Sequence, residues 1–246
     1  MTEDRGQRTE KPVIGLPGFS LIELLVVISI IAAALAILMP GLGKARSVAR
    51  RTGCASNLRQ IDVAISSYLN SNDDKYPAAQ DPLYPNIWLW MGRGWRGFIS
   101  PHLGGNIDAN NPSVLLCPAD RTEPNRFEQT SYSYSMALYH SPEQIDDMNS
   151  IQHAYNPALV KPSIGQKCVN VANPAGKIII GEWYSNHRPI MQGNDPGWWG
   201  LTGQRNFLFA DGQVKFLKAV DIRTANDGNP NPNLTKNGIK GTDWPK

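Results

Sequence analysis

The chain has 246 residues, 41% of them hydrophobic, and a formal net charge of +3. This length suffices for one moderate globular domain in addition to a long terminal helix. The charged residues form no basic block, which excludes the usual electrostatic footprint of a nucleic-acid-binding protein. The three cysteines, Cys54, Cys117 and Cys168, permit at most one disulfide, and the residues alone do not select the pair.

The first predicted element is an apolar segment at positions 19–39. Its 21 residues, at about 1.5 Å of helix rise per residue, match the thickness of a hydrocarbon core. Glu23 lies inside this segment, where a carboxylate is costly unless a cation meets it. The pattern therefore predicts a membrane-spanning helix in which Glu23 interacts with a partner. A helix that only anchors the protein would not need this charge.

Residues 1–18 could belong to a secretory signal peptide, to a plain signal anchor or to a leader that is cleaved before the apolar run. A secretory signal carries small residues at a cleavage site behind its apolar run. Here Pro40 and Gly41 follow the run, whereas Gly18 stands directly before it. The arrangement favours a leader at 1–18, and the alternative is a plain signal anchor.

Residues 18–31, G-F-S-L-I-E-L-L-V-V-I-S-I-I, resemble the cleavage and methylation motif of type IV pilins and type II secretion pseudopilins. The resemblance implies that a prepilin peptidase cuts after Gly18 and that the new N-terminal residue, Phe19, is N-methylated. It also implies that Glu23 pairs with the N-terminal amine of a neighbouring subunit during assembly. At Pro40, a place where pilin helices commonly have a proline, the helix is expected to kink or locally melt.

The same resemblance implies a structural subunit of a type IV pilus-like filament or of a type II secretion pseudopilus, without separating the two. The expected partners are a prepilin peptidase and methyltransferase, other pilin or pseudopilin subunits and the inner-membrane assembly platform, but no nucleic acid. The expected location is the bacterial cytoplasmic membrane, crossed once, with the C-terminal domain on the periplasmic or extracellular side. In that compartment a disulfide from Cys117 to Cys54 or to Cys168 is permitted.

Residues 41–71 predict an amphipathic continuation of the assembly helix at 19–40. Apolar or small side chains recur there at spacings of three and four, which is typical of a helix with one packed face. They are Ala45, Val48, Thr52, Ala55, Leu58, Ile61, Ile65 and Tyr68. The turn-forming sequence N-S-N-D-D at 70–74 is expected to end the helix.

A second resemblance, to a bacterial branch of pilin-like proteins with an H-x9-D-G motif near the C-terminus, rests on four phrases. These are C-A-S-N-L-R-Q-I-D-V-A-I-S-S-Y at 54–68, L-C-P-A-D at 116–120, S-Y-S-Y at 131–134 and N-F-L-F-A-D-G-Q-V-K-F at 206–216. The chain departs from the motif because Leu201 stands ten residues before Asp211, where the branch has histidine. Whatever that histidine does in the branch is therefore not expected at this position.

The head domain, at 72–226, is expected to be α+β, with the long helix packed on a small antiparallel sheet that has long loops. Residues 206–210 and 213–217 predict a hairpin around Asp211 and Gly212, since both residues tolerate a positive φ. Asp211 is interpreted as a turn residue before it is considered as a metal ligand. Residues 177–183 predict a buried strand, and residues 227–246, which lack apolar periodicity, predict a flexible tail.

No catalytic, metal or cofactor site is predicted, and the chain is not expected to be an enzyme. The four histidines, at positions 102, 140, 153 and 187, lack metal-ligand spacing, and no nucleophile elbow, P-loop or dinucleotide-binding motif is present. The resemblance raises the question of calcium, because the major secretion pseudopilin holds it in a C-terminal loop. Asp221 and Asp227 are too sparse for such a site, and Asp243 stands alone.

An alternative function is a binding module for glycans or proteins, displayed on a filament or membrane. Its basis is aromatic: Trp88, Trp90 and Trp95 cluster in one loop, and Trp198 and Trp199 lie in another. Neighbouring tryptophans can stack on sugars or anchor a protein partner, but in small domains they are more often part of the core. We therefore favour a core role for these side chains and a structural role for the protein.

Overall fold

The computed structural model describes residues 20–78, 94–104, 113–121, 130–148, 150, 163–188, 195 and 197–245. The predicted leader at 1–18, with the cleavage residues Gly18 and Phe19, lies outside these ranges. The described chain divides into two units, one ending at Ala45 and the other beginning at Arg46. The second of these is called the head unit below.

Helix α1 spans Leu21–Ser71 and has 51 residues. It ends directly before the turn at 72–74, where Asp73 and Asp74 adopt positive φ values of 53° and 56°. Pro40 lies inside the helix, which continues through it, so a kink at this residue stays a prediction. Among the described residues, α1 is the one helix that is long and apolar enough to cross a membrane.

The later turns of α1 have one buried face, as the amphipathic pattern indicated. Leu58, Ile61 and Ile65 are essentially inaccessible to solvent, and so are Cys54 and Ala64. Their spacings of three, four and seven residues place them on one side of the helix. Ala45, Val48 and Thr52, which the pattern had assigned to this face, are exposed instead.

Four strands form one antiparallel sheet in the order β1-β2-β3-β4. They are β1 (Tyr132–Tyr134), β2 (Ile178–Glu182), β3 (Gln204–Phe209) and β4 (Val214–Lys218). Two short helices, α2 (Arg96–Ile99) and α3 (Pro142–Asp147), belong to the head unit. The expected α+β architecture, a long helix with a small antiparallel sheet, is confirmed.

Short 3-10 helices connect these elements. Within the described ranges they are Ser100–His102, Ser113–Leu115, Met136–Leu138, Cys168–Asn170, Pro174–Gly176, Ala219–Asp221, Pro232–Leu234 and Gly238–Lys240. Such pieces make few repeating hydrogen bonds and give no extended sequence period, so side-chain packing must hold them in place.

The sheet lies between two apolar clusters. Leu208 packs in the larger cluster with Leu58 and Ile61 of α1, whereas Phe207 and Phe209 pack in a smaller cluster on the other side. This alternation follows from the two-residue period of a strand. Helix α1 therefore covers one face of the sheet within the head unit.

The hairpin between β3 and β4 forms where the D-G dipeptide predicted it. Gly212 has a φ of +81°, and Asp211 Oδ1 accepts a hydrogen bond of 3.1 Å from the amide of Gln213. This local bond is typical of an aspartate that stabilises a turn. Asp211 acts here as the turn residue that the sequence indicated.

The C-terminal segment is packed against the head unit, which corrects the predicted flexible tail at 227–246. Leu234 and Ile239 have no solvent exposure, and Asp243 is 2% exposed. The amide of Asp243 donates a 2.8 Å hydrogen bond to the carbonyl of Gly176. Isolated apolar residues and hydrogen bonds hold this segment in place. Because it has no periodic apolar face, the sequence pattern suggested a mobile tail.

Candidate functional site

Glu23 lies in the first turn of α1, beside the backbone of Ser20. The Ser20 amide donates a 2.9 Å hydrogen bond to Glu23 Oε2, and the Ile22 amide lies 3.4 Å from Ser20 Oγ. A serine followed three residues later by a glutamate that reaches back in this way is the S-x-x-E capping pattern. Glu23 thus helps to start the helix, a role that the sequence analysis did not assign to it.

The side chains of α1 between positions 21 and 50 are exposed on every face of the helix. Leu21, Ile22 and Ile37 are 80%, 69% and 82% exposed, although the segment at 21–39 is almost wholly apolar. A helix that is hydrophobic all round is stable only when lipid or other protein covers it. This segment is therefore a candidate membrane span or assembly surface.

In the head unit, a disulfide joins Cys54 of α1 to Cys117, and Cys168 is the free cysteine. The sequence had left this pairing open. Cys117 is held from its other side, because its amide donates a 2.9 Å hydrogen bond to Ser131 Oγ. The bridge therefore ties the long helix to the segment that leads into β1.

Glu182, at the end of β2, and His187 lie against this disulfide. Cys117 Sγ is 3.7 Å from Glu182 Oε1 and 3.6 Å from His187 Nε2. His187 Nε2 and Glu182 Oε1 are 2.8 Å apart, which fits a ring N–H that donates to the carboxylate. Since a sulfur in a disulfide carries no hydrogen, its two approaches are packing contacts. These three side chains and Cys54, four in all, are called the Cys-Glu-His cluster below.

Asn206 of β3 fixes the orientation of the Glu182 carboxylate. The Asn206 amide donates to Glu182 Oε2 at 2.9 Å, and its side-chain Nδ2 donates to Oε1 at 2.8 Å. Glu182 has no solvent exposure, so these donors replace the water that an ionised carboxylate requires. The carboxylate is held rigidly toward Cys117 and His187.

The surroundings of the Cys-Glu-His cluster are aromatic. Tyr132 lies next to it in β1, and burial, followed by the charge of Glu182, raises the pKa of this tyrosine well above its usual value. The His187 ring meets Phe216 edge to face, with centroids 6.0 Å apart, and the Arg51 guanidinium lies 4.8 Å from the Phe216 centroid. Within the described residues, His187 Nδ1 has no hydrogen-bond partner.

Spacing along the chain did not reveal the Cys-Glu-His cluster. Glu182 and His187 are five residues apart, but Cys54 and Cys117 come from distant segments and meet them only in the folded head unit. The cluster contains four possible metal ligands, whereas the sequence analysis predicted no metal site. The available signal was the presence of a buried strand that ends in glutamate and is soon followed by histidine.

The other singled-out residues are dispersed in the described structure. Leu201, which stands in the place of the branch histidine, is 61% exposed and lines an open surface cavity of about 350 Å³. His102 Nδ1 is 2.9 Å from Ser67 Oγ, whereas His140 is buried. His153 lies outside the described residues.

Two of the five loop tryptophans belong to the core. Trp95 is fully buried and stacks on Tyr134, with ring centroids 5.9 Å apart, and Trp198 is 1% exposed. Trp199 is half-buried, while Trp88 and Trp90 lie outside the described residues. Trp95 and Trp198 do not present their faces to solvent, so they give the alternative binding function no support.

A protein family described as "protein of unknown function (DUF1559)", SBP_bac_10, matches residues 43–165, which is half of the chain. The chain belongs to this family. DUF1559 proteins are pilin-like or pseudopilin-like bacterial proteins. No curated protein and no solved structure matches the chain.

The DUF1559 match covers only part of the features described above. It includes the amphipathic half of α1, both disulfide cysteines and β1, but not the apolar half of α1 at 21–39. Glu182 and His187 also lie outside it. Membership in DUF1559 therefore supports a pilin-like protein. The roles of the prepilin motif and of Glu182 and His187 must be inferred from this chain alone.

Proposed function

We propose that this protein is a structural, pilin-like subunit that is anchored in the membrane and assembles through the apolar half of α1. The observation that carries the proposal is the exposed apolar run at 21–39, which continues in the same helix to the buried face of the head unit. Such a run is unstable in water but suits a bilayer or a bundle of like helices. The DUF1559 family is consistent with this role.

The proposed maturation begins with cleavage between Gly18 and Phe19 by a prepilin peptidase, followed by N-methylation of Phe19. This step removes the polar leader, so the apolar helix then starts at the N-terminus of the chain. The proposed partners are that peptidase and methyltransferase, other pilin or pseudopilin subunits and an inner-membrane assembly platform. The assembled product is either a pilus-like filament or a secretion pseudopilus. The proposal covers both, because both assemble through the same N-terminal helix.

Glu23 is proposed to bind the N-terminal amine of a neighbouring subunit. Its Oε2 accepts the Ser20 amide, while Oε1 has no partner within the described residues. An ammonium group could therefore bind Oε1 without breaking the capping interaction. In an apolar environment such a pair offsets the cost of the buried carboxylate, whereas an unpaired carboxylate would oppose assembly.

The proposed location is the bacterial cytoplasmic membrane, with the head unit on the periplasmic or extracellular side. The Cys54–Cys117 disulfide supports this side, because disulfides persist in oxidising compartments and are rare in the cytosol. The segment at 21–39 has the length that a single crossing requires.

The decisive experiment is intact-mass measurement of the protein extracted from membranes of its native host. Processing predicts a mass that lacks residues 1–18 and carries one added methyl group. Expression of the chain in a host that lacks the prepilin peptidase provides the control and should give the full-length mass. A full-length mass in the native host would contradict the leader and leave a plain signal anchor.

Substitution of Glu23 tests the assembly step separately from cleavage. Glu23→Ala should leave cleavage at Gly18 intact but reduce filament formation and methylation, because the incoming amine loses its acceptor. Ser20→Ala is the matched control, since it alters the same capping interaction and keeps the carboxylate. Normal filament levels in Glu23→Ala would refute the pairing, and equal losses in both variants would assign Glu23 to helix capping alone.

A further inference from the structure

The Cys-Glu-His cluster contains two sulfurs, one imidazole nitrogen and one carboxylate oxygen in a single buried place. These four ligand atoms all lie within 4.8 Å of one another. Cys54 and Glu182 have no solvent exposure, Cys117 is 3% exposed and His187 is 8% exposed. Sulfur, imidazole and carboxylate are the ligand types that Zn²⁺ takes in proteins, usually four at a time in a tetrahedron.

The distances around Cys117 match the edges of such a tetrahedron. Zinc–sulfur bonds of about 2.3 Å and zinc–nitrogen or zinc–oxygen bonds of about 2.0–2.2 Å place ligand atoms roughly 3.5 Å apart. Cys117 Sγ lies 3.7 Å from Glu182 Oε1 and 3.6 Å from His187 Nε2. The two sulfurs, which are bonded to each other in the disulfide, would have to separate to about 3.8 Å after reduction. The His187–Glu182 separation of 2.8 Å would have to lengthen by about 0.6 Å on this geometry.

Hydrogen bonds with neighbouring residues hold two of the ligand residues, Glu182 and Cys117, from behind. Asn206 donates two hydrogen bonds to Glu182, and Ser131 accepts one from the amide of Cys117. Such outer contacts fix the direction of the ligand side chains and strengthen binding. Two of the four ligands lie on regular elements, Cys54 on α1 and Glu182 at the end of β2, and Asn206 lies on β3.

We propose that the Cys-Glu-His cluster binds one zinc-like divalent cation when Cys54 and Cys117 are reduced. The disulfide and the metal exclude each other, because metal binding needs two thiolates and the disulfide has none. Binding of the cation to the dithiol releases two thiol protons to solvent. His187 coordinates through Nε2, so its ring hydrogen moves from Nε2, where it faces Glu182 in the disulfide form, to Nδ1. Glu182 coordinates through Oε1.

The charge of the proposed centre explains its surroundings. Two thiolates, one carboxylate and a neutral imidazole around a divalent cation leave a net charge of −1. The Asn206 donors oppose that charge, and the Arg51 guanidinium lies over the Phe216 ring, which itself meets His187. A newly made chain, whose cysteines are still thiols, would thus hold α1 and Cys117 together before any disulfide forms.

The test uses the full-length chain in detergent micelles, in an oxidised and a reduced form. Tris(2-carboxyethyl)phosphine reduces the disulfide: the sulfurs gain two electrons and two protons, and the phosphine takes an oxygen atom from water to become its oxide. After anaerobic removal of the reagent, Zn²⁺ or Co²⁺ is titrated in. The reduced chain should bind one equivalent, with the thiolate-to-cobalt charge-transfer band of a tetrahedral site, and the oxidised chain should not.

Variants locate the site. His187→Gln and Glu182→Gln should weaken Zn²⁺ binding by the reduced chain by at least about 10–100-fold, the loss that a changed outer-shell partner alone causes, since each removes a direct ligand. Cys168→Ser is the matched control and should bind as the original chain does. Tryptophan fluorescence of each oxidised variant checks its folding independently of metal.

Several results would overturn the proposal. These are equal metal binding by the oxidised chain, a cobalt spectrum without thiolate ligation, unchanged affinity in His187→Gln, and loss of binding in Cys168→Ser. A reduced chain that unfolds and does not refold with one equivalent of Zn²⁺ would overturn it as well. Affinity should also rise with pH, because two protons leave on binding.

Discussion

The buried ion pair between Lys177 and Asp243 should determine whether the C-terminal segment stays packed. Both side chains are buried, and Lys177 Nζ lies 3.2 Å from Asp243 Oδ2. Lys177 also donates to Thr235 Oγ1 at 2.7 Å and to the carbonyl of Gly238 at 3.2 Å. Asp243→Asn would therefore leave a buried ammonium group with neutral partners only.

Removal of one partner of a buried ion pair costs about 3–5 kcal/mol of stability. Because Lys177 keeps two neutral acceptors, we expect the lower end, about 3 kcal/mol, for Asp243→Asn. In a domain of this size, each kcal/mol lowers the midpoint of thermal unfolding by about 2–4 °C. The expected loss is thus about 6–12 °C in the midpoint of the head unit.

Tryptophan fluorescence of the full-length protein in detergent measures this transition. All seven tryptophans lie at position 88 or later, so the signal reports the head unit and not the apolar half of α1. Asp221→Asn is the matched control, since the Asp221 carboxylate is exposed and accepts a 3.3 Å hydrogen bond from the Lys218 amide. A midpoint shift below 2 °C in Asp243→Asn, or an equal shift in both variants, would refute the reasoning.

The pH dependence gives a second check on the same pair. Burial lowers the pKa of Lys177, and the charge of Asp243 partly offsets that shift. Because the unfolded chain then binds more protons between the folded-state pKa and the ordinary value of 10.5, stability rises with pH across this window. Asp243→Asn lowers the pKa of Lys177 further, so its destabilisation should shrink as the pH is raised from 7 toward 10.

Two further substitutions test the packing and the cysteine assignment. Gly181→Ala should destabilise the head unit by about 1–3 kcal/mol through overpacking, because a Cβ at this position would come within 2.7 Å of Phe207 and Trp198. An unchanged midpoint of thermal unfolding would contradict this close approach. Alkylation of the denatured, unreduced protein should label one thiol, and Cys168→Ser should abolish the labelling while leaving the disulfide intact; a label that persists in this variant would contradict the Cys54–Cys117 pairing.

Much of the fold could be predicted because its elements carry strong local signals. The buried face of α1 repeats every three to four residues through Leu58, Ile61 and Ile65, and the β3–β4 hairpin has a D-G turn. The C-terminal segment has no such period. Its position depends on single contacts, such as the packing of Leu234 in the core and the ion pair of Asp243 with Lys177. No local sequence pattern predicts such contacts.

The Cys-Glu-His cluster shows why the candidate site could not be predicted from the spacing of its residues along the sequence. Metal-ligand motifs are recognisable when two ligands share a turn or a helix face, but Cys54 and Cys117 are separated by 63 positions. They come together because the buried face of α1 packs on the sheet beside β2, where Glu182 ends the strand. The residues of the cluster are therefore a product of tertiary packing, and the same packing that makes the disulfide possible also brings His187 and Glu182 to its sulfur atoms. Any change that moves α1 relative to β2 should alter both the disulfide and the proposed metal site together.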